Sequence, residues 1–442
     1  MVSSDMRGWV VGFLVLASAH GQVGPGSRLE PNSRADQALR AGETHAYLLE
    51  SRGGQYLDLN AYQDGIDLVA VLLSPAGAKV VEVDSPNGVR GPERVRTLLE
   101  TPGVYRLELR APERQDPGRY QLTILEWRAA TPADGPRLAG WKTWAEADVA
   151  RREANLASRE KAATLFRAAI ALFKTAGDAA GEADAQMGIG RVLFNLGRNR
   201  EGIATYEEAL ALYRRLGDRR NEAFTLNNIA VALDNLGERP AALERHKQAL
   251  EIHRAVGNRA AEAQSLSSIG SVYDSMDEKE TALRYYLQAL PIRRELKERR
   301  GEAATLHNMG SLYLDIHEYR TAIGYFEQAM ALHRADNNKA GEAVTSNQLG
   351  VAYDNQGDMQ KALDYYGRAL ALHRAAGSRI REGVALNNIG FLHQRLGEHR
   401  EALDWFEQAL VPLRAAGERA TEPNVLDNMG KSYLLLGERA KA

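Results

Sequence analysis

One short block returns at the same phase every forty residues, as Ala223-Phe-Thr-Leu-Asn-Asn-Ile-Ala230, Ala303-Ala-Thr-Leu-His-Asn-Met-Gly310 and Gly383-Val-Ala-Leu-Asn-Asn-Ile-Gly390. A small residue closes the block at Gly190, Ala230, Gly270, Gly310, Gly350, Gly390 and Gly430. A small-plus-apolar pair follows about half a unit later, at Ala209-Leu210, Ala249-Leu250, Ala289-Leu290, Ala329-Met330, Ala369-Leu370 and Ala409-Leu410. Self-similarity at a fixed period restricts this part of the chain to an array of like supersecondary units, each packed on its neighbours.

Each unit holds two helical patterns separated by a breaker such as Gly237 or Gly397, the signature of an antiparallel helical hairpin. In the first helix Leu306, Gly310 and Tyr313 share a face, and the glycine admits a close neighbour. In the second, Ala322, Phe326, Ala329 and Met330 again follow helical spacing, with alanines where helices cross. A lone hairpin cannot bury both faces, so the units must stack into a solenoid. Six units carry both helices, beginning near Glu182, Glu222, Glu262, Glu302, Glu342 and Glu382. A looser unit precedes them over about Trp141 to Gly177. At the far end only a first helix is present, and Gly437-Glu-Arg-Ala-Lys-Ala442 matches Gly237-Glu-Arg-Pro-Ala-Ala242. This end reads as a chain that stops as another second helix begins, with a solvated capping helix as the alternative. Pro291 and Pro412 predict kinks or local loosening, because proline removes a backbone donor.

These units resemble tetratricopeptide repeats, whose pattern is matched by Leu306, Met309, Gly310, Tyr313, Ala322 and Phe326. The period is longer than the usual 34 residues. With joins such as Gly217-Asp-Arg219 and Gly257-Asn-Arg259, it is similar to the repeats of kinesin light chains and spindle-orientation adaptors. The resemblance covers about residues 141–442 and implies a helical solenoid whose first helices line a concave groove.

The preceding region differs in kind. Tyr56-Leu-Asp-Leu-Asn60, Asp67-Leu-Val-Ala-Val-Leu-Leu73, Lys79-Val-Val-Glu-Val83, Gly103-Val-Tyr-Arg-Leu-Glu-Leu109 and Tyr120-Gln-Leu-Thr-Ile124 read as short strands between Pro and Gly turns. They predict a small all-β sandwich over residues 29–127, followed by a linker at 128–140. Gly103-Val-Tyr105 and Gly118-Arg-Tyr-Gln-Leu122 make the sandwich resemble bacterial pre-peptidase C-terminal domains, which are extracytoplasmic accessories. Asp58, Asp64, Asp67 and Asp84 raise calcium as an alternative to solvated turn acids. The predicted fold class is therefore mainly α: a tetratricopeptide-type α-solenoid of helix-turn-helix repeats preceded by an all-β sandwich.

Arg7, the apolar run Trp9 to Ala17 and the small residues Ala17, Ser18 and Ala19 read as a secretory signal over residues 1–21, too short to span a bilayer. The chain is thus expected to be exported to a bacterial periplasm or secreted, with no membrane span after cleavage. The whole order is similar to the front of bacterial proteins that end in a caspase-like CHAT protease domain. No such domain follows here, and a chain without cysteine carries neither disulfides, thiolate metal sites nor a cysteine nucleophile. Lys and Arg number 56 against 58 Asp and Glu, so no global field favours nucleic acid.

Catalytic patterns are weak. His253, His333 and His373 recur at one second-helix position, too far apart to share a metal. Gly430-Lys-Ser432 lacks the first glycine of a phosphate loop, Val425 standing there, and Ser158-Arg-Glu-Lys161 lacks its partner motifs. No enzyme activity, metal or cofactor is expected.

Helical spacing gives the outward stripe of each first helix: Asn227, Val231 and Asp234; Ser267, Ser271 and Asp274; Asn347, Val351 and Asp354; Asn387, Phe391 and Gln394. With His307 and the neighbouring amides Asn228, Asn308 and Asn388, these positions form the candidate peptide groove. An Asn offers both donor and acceptor to an extended or helical segment, and the acids at Asp234, Asp274 and Asp354 would favour a basic one. Asn228, Asn308, Asn388 and Asn428 also fit a structural role between neighbouring helices. The expected function is a protein-interaction scaffold; the alternative is the sensor arm of a longer CHAT-type protein.

Overall fold

The structure is a computed structural model and describes residues 24–84, 89–113, 116–153 and 155–442. The expected export signal lies outside the described residues. The chain divides into two compact units, Met1–Ala185 and Gln186–Ala442.

The first unit opens with strands β1 (Arg28–Leu29), β2 (Arg34–Leu39), β3 (Thr44–Arg52), β4 (Gln55–Asp64), β5 (Val69–Leu73), β6 (Lys79–Val83), β7 (Arg90–Leu99), β8 (Pro102–Arg110) and β9 (Gly118–Ala129). They form two sheets, ordered β1-β3-β8-β5-β6 and β2-β9-β4-β7. Period-two alternation turns Tyr105, Leu107 and Leu109 of β8 inward, where they meet Leu57, Leu59 and Ala61 of β4 in one shared core. Within it the buried hydroxyls of Tyr47 and Tyr120 hydrogen-bond at 2.7 Å, satisfying two polar groups that would otherwise be costly. Two of the four acids raised for calcium, Asp58 and Asp64, lie in β4 and pair with arginines of β7. Asp58, 3% exposed, lies between Arg94 (2.7 Å) and Arg96 (3.3 Å), and Asp64 pairs with Arg90 at 2.8 Å.

The linker expected at 128–140 is mostly ordered structure: β9 runs to Ala129 and helix α1 (Asp134–Arg152) begins four residues after Ala130. Asp134 explains the short joint. Its fully buried carboxylate takes two hydrogen bonds of 2.8 Å from Arg128 and one of 2.7 Å from the Thr131 amide. Those bonds hold its pKa far below the usual carboxylate range and place a negative charge at the helix N-terminus. Arg96 also lies over the Trp141 ring at 3.7 Å, and Trp141 meets Phe173 of α2 (Leu156–Ala176) edge-on at 5.0 Å.

Helix hairpins continue as α3 (Ala179–Asn195), α4 (Asn199–Leu216), α5 (Arg219–Asn235), α6 (Arg239–Ala255), α7 (Arg259–Ser275), α8 (Lys279–Glu295), α9 (Arg299–Asp315), α10 (Tyr319–Ala335), α11 (Lys339–Gln356), α12 (Met359–Ala375), α13 (Arg379–Arg395), α14 (His399–Ala415) and α15 (Glu422–Leu435). Pro291 and Pro412 sit inside α8 and α14 without ending either helix. Asp218, Asn258, Asn338 and Asp358 cap first turns with side-chain oxygens, which accept otherwise orphaned amides. Successive first helices touch, α7 with α9, α9 with α11 and α13 with α15.

In five of the seven blocks the closing glycine faces an aromatic ring, Ala230 and Gly430 being the exceptions. A Cβ on Gly350 would stand 2.5 Å from the Tyr366 ring, and one on Gly310 2.7 Å from Phe326. Gly190, Gly270 and Gly390 face Tyr206, Tyr286 and Phe406 in the same way. At Ala230 the partner is His246, a smaller ring that occupies the aromatic position one forty-residue repeat before Tyr286. Ring size and the extra methyl therefore trade against each other at close packing. A second constant is the pair joining a second helix to the next first helix: Arg214–Glu222 (3.0 Å), Arg254–Glu262 (2.9 Å), Arg294–Glu302, Arg374–Glu382 and Arg414–Glu422 (2.8 Å each).

Candidate functional site

The outward stripes do not behave alike. On α5, Asn227 is fully engaged: its Oδ1 accepts from His246 Nδ1 at 2.8 Å, and its Nδ2 donates to Ser265 Oγ at 3.0 Å and His253 Nε2 at 3.4 Å. Burial holds His246 neutral, with its pKa pushed down to about 4. Asn227 thus ties α5 to α6 and α7, and its side chain is not free for a ligand. On α7, Ser267 is buried beside the Arg293 guanidinium at 3.3 Å.

Further along, the amides form a ladder between neighbouring first helices. Asn388 donates to Asn347 Oδ1 at 3.0 Å, and Asn428 donates to Asn387 Oδ1 at 3.2 Å. Each acceptor keeps its Nδ2 group: among the described residues no hydrogen bond from the Asn347 or Asn387 amide nitrogen is found. Beside them Phe391 is 39% exposed and Val351 is half-buried. Asn228 is half-buried near Met187 Sδ, 4.0 Å away. Asn308 and His307 are half-buried on α9, the imidazole lying 3.4 Å from Thr345 Oγ1 and tilted on the Phe326 ring at 5.3 Å.

The expected acidic edge is corrected by the structure. Asp354 is only 6% exposed and is bonded to Arg395 of the next hairpin, its pKa raised by burial. Asp274 pairs with Lys279 at 2.7 Å, which also reaches Asp315 at 3.1 Å, and Asp234 faces Arg239 at 3.9 Å. Cations at the start of the following second helix, or from the next unit, neutralise these acids, so they present no free field to a basic partner.

Two features escaped sequence reasoning. Stacked rings repeat at the hairpin ends, Tyr273 on Tyr285 (5.5 Å), Tyr313 on Tyr325 (5.3 Å), Tyr353 on Tyr365 (5.5 Å) and His393 on Trp405 (6.1 Å). The forty-residue recurrence of those aromatics was the available signal. The other is a cavity of about 580 Å³ reached by His307, His333 and His373. Its signal is weaker, being a set of departures from the repeat at several different positions.

Stacked antiparallel hairpins of this kind define a helical repeat array. Its repeats are tetratricopeptide repeats: residues 181–255, 235–295 and 301–375 match one tetratricopeptide repeat profile and residues 384–411 another. No curated protein matches the chain by sequence. Among solved structures it is similar to the apo form of the quorum sensor NprR from B. thuringiensis, at 15% identity and a TM-score of 0.55 over 69% of this chain and 84% of that one. A STAND protein with a tetratricopeptide repeat sensor, PH0952 from Pyrococcus horikoshii, matches at 17% identity and a TM-score of 0.52, over 70% of this chain and 48% of that one. The apo form of RapI matches at 17% identity and a TM-score of 0.51, over 63% of this chain and 99% of that one. At these identities the likeness is one of fold.

Proposed function

We propose that the helical array is a recognition module that holds a protein or peptide segment against its first helices, centred on α11 and α13. The observation that carries this is the pairing of unengaged amide donors on Asn347 and Asn387 with the exposed ring of Phe391. Apolar anchors flanked by directional donors are what a peptide with its own backbone carbonyls requires. The Asn388 bond to Asn347 joins α13 to α11 and supports this reading. That NprR is a quorum sensor and that PH0952 carries a tetratricopeptide repeat sensor agree with a recognition role. No catalytic step is assigned to the array.

In this proposal the sandwich is an accessory domain of the pre-peptidase C-terminal kind, and the protein works after export. Amino-terminal sequencing of the mature protein from periplasm or medium tests that part. A photo-reactive residue at Val351 is expected to cross-link the partner, whereas one at Leu287 on the second-helix row is not. Cross-linking from Leu287 alone would assign recognition to the opposite row.

A second reading, favoured by PH0952 joining its repeat sensor to an ATPase, makes the array the sensor arm of a longer CHAT-type protein. The natural gene beyond the Ala442 codon decides it.

A further inference from the structure

The cavity of about 580 Å³ lies where four positions of the repeat depart from their neighbours. The first departure is steric. In the two preceding hairpins the position of Ala304 is held by Phe224, whose ring meets His253 at 5.3 Å, and by Gln264, which accepts from Arg293 at 3.1 Å. Those side chains fill the space between first and second helix; the methyl of Ala304 does not. The second departure is what packs on Gly341: its counterpart Gly301 faces the Arg293 guanidinium, whereas a Cβ on Gly341 would stand 2.3 Å from His333 Nδ1, so the imidazole lies directly against the start of α11. Asn338 then meets that imidazole at 3.2 Å while capping α11.

The third departure is electrostatic. The column occupied by Asn221, Ala261, Gly301 and Gly341 becomes Arg381 at the mouth of the cavity. Arg381 is exposed and has no hydrogen bond or ion pair among the described residues, and no Asp or Glu lines the cavity. The fourth is the joint itself. The Arg–Glu pair found at the other joints is missing between Arg334 and Glu342, whose carboxylate is taken by Lys339 at 2.9 Å. Finally, His373 is 5% exposed, lines the cavity and has no hydrogen-bond partner among the described residues. Its ring nitrogens are not among the orphaned buried atoms, so they open on the cavity and are available to what enters it.

We infer that this cavity binds a small molecule that carries an oxyanion, a carboxylate or a phosphate, on a short apolar body. The guanidinium of Arg381 offers the forked donors that planar oxyanions accept, and the His373 and Asn338 side chains supply further donors. Val344, Leu372 and Ala304 form an apolar floor for the body. The volume is within the range of small-ligand sites, about 300–1,000 Å³. Burial lowers the pKa of His307, His333 and His373, so at neutral pH the site holds one fixed positive charge and adaptable neutral rings. Asn347, Asn387 and Phe391 do not line this cavity, so failure of this assignment leaves the one made for those three residues standing.

The test uses the full chain with benzoate, phenyl phosphate and neutral benzamide, read by saturation-transfer NMR and calorimetry. Saturable binding of benzoate or phenyl phosphate is expected, with benzamide weaker by about tenfold or more, the scale of one charge-assisted contact. Whichever anion binds more tightly identifies the headgroup. Ala304→Phe, which restores the residue of an earlier hairpin, is expected to abolish binding, and Arg381→Gln to weaken it about tenfold with unchanged helicity. Equal binding of benzamide, undiminished binding by the Ala304→Phe chain, or no saturable binding of either anion overturns the assignment.

Discussion

The hairpins α5–α8 and α9–α13 share one packing scheme and differ in what they leave unmet. In the first stretch Phe224 packs on His253, Asn227 bonds His246, His253 and Ser265, and Gln264 accepts from Arg293, so these inner side chains hold one another, with His253 Nδ1 and Arg293 Nε left over among the described residues. In the second, Ala304 leaves a cavity, Arg381 has no ion pair among the described residues, and Asn347 and Asn387 keep their amide donors. The buried columns are constant because every hairpin must bury the same faces. The columns beside them are at liberty to vary, and the proposed recognition surface is where that variation is not answered inside the fold.

The largest expected effect tests the constant columns. His246→Tyr should destabilise the array by about 3 kcal/mol, since a full aromatic ring would meet the Ala230 methyl; adding Ala230→Gly should restore most of it. Urea unfolding of the four chains of the cycle measures this, and independent effects would break the ring-size account.

Next comes acid. The pKa of His246 and of His307 is pushed down to about 4 by burial, against an ordinary 6.5. Between those values the unfolded chain binds more protons than the folded one, so stability is present above pH 6.5 and is lost as pH falls towards 4. Each imidazole contributes roughly 2–3 kcal/mol to that loss by pH 4.5. A His246→Gln chain should retain more of its stability over the same window.

Asn227→Ala should cost about 2 kcal/mol by leaving His246 and Ser265 unmet, whereas Asn387→Ala should cost under about 1 kcal/mol. Equal costs would erase the distinction between the two stretches. Smallest of all, Asp274→Asn should change stability by less than about 1 kcal/mol, because its pair with Lys279 is partly solvated.

The array was legible in the sequence because its signal is one-dimensional: the same residues at Leu306, Gly310 and Phe326 recur at fixed offsets, and close packing leaves few alternatives. The fate of Asn227 was not, since its partners lie in two other helices and only Asn, not its bonding state, is written at that position. Asp354 failed for a similar reason. Helical spacing sets it outward on its own helix, and the next hairpin, through Arg395, turns that outside into an interface. The joint after β9 was misjudged because the bond of Arg128 to Asp134 organises what composition alone presents as a linker.

The central claim is that recognition resides in the unengaged groups of α11 and α13. It is tested most directly by measuring partner affinity for the full chain, for Asn347→Ala/Asn387→Ala/Phe391→Ala, and for Asn227→Ala, all with verified helicity. The account predicts that the triple substitution weakens binding by about a hundredfold or more while Asn227→Ala leaves it within about threefold. Unchanged affinity in the triple variant, or a loss confined to Asn227→Ala, would contradict it.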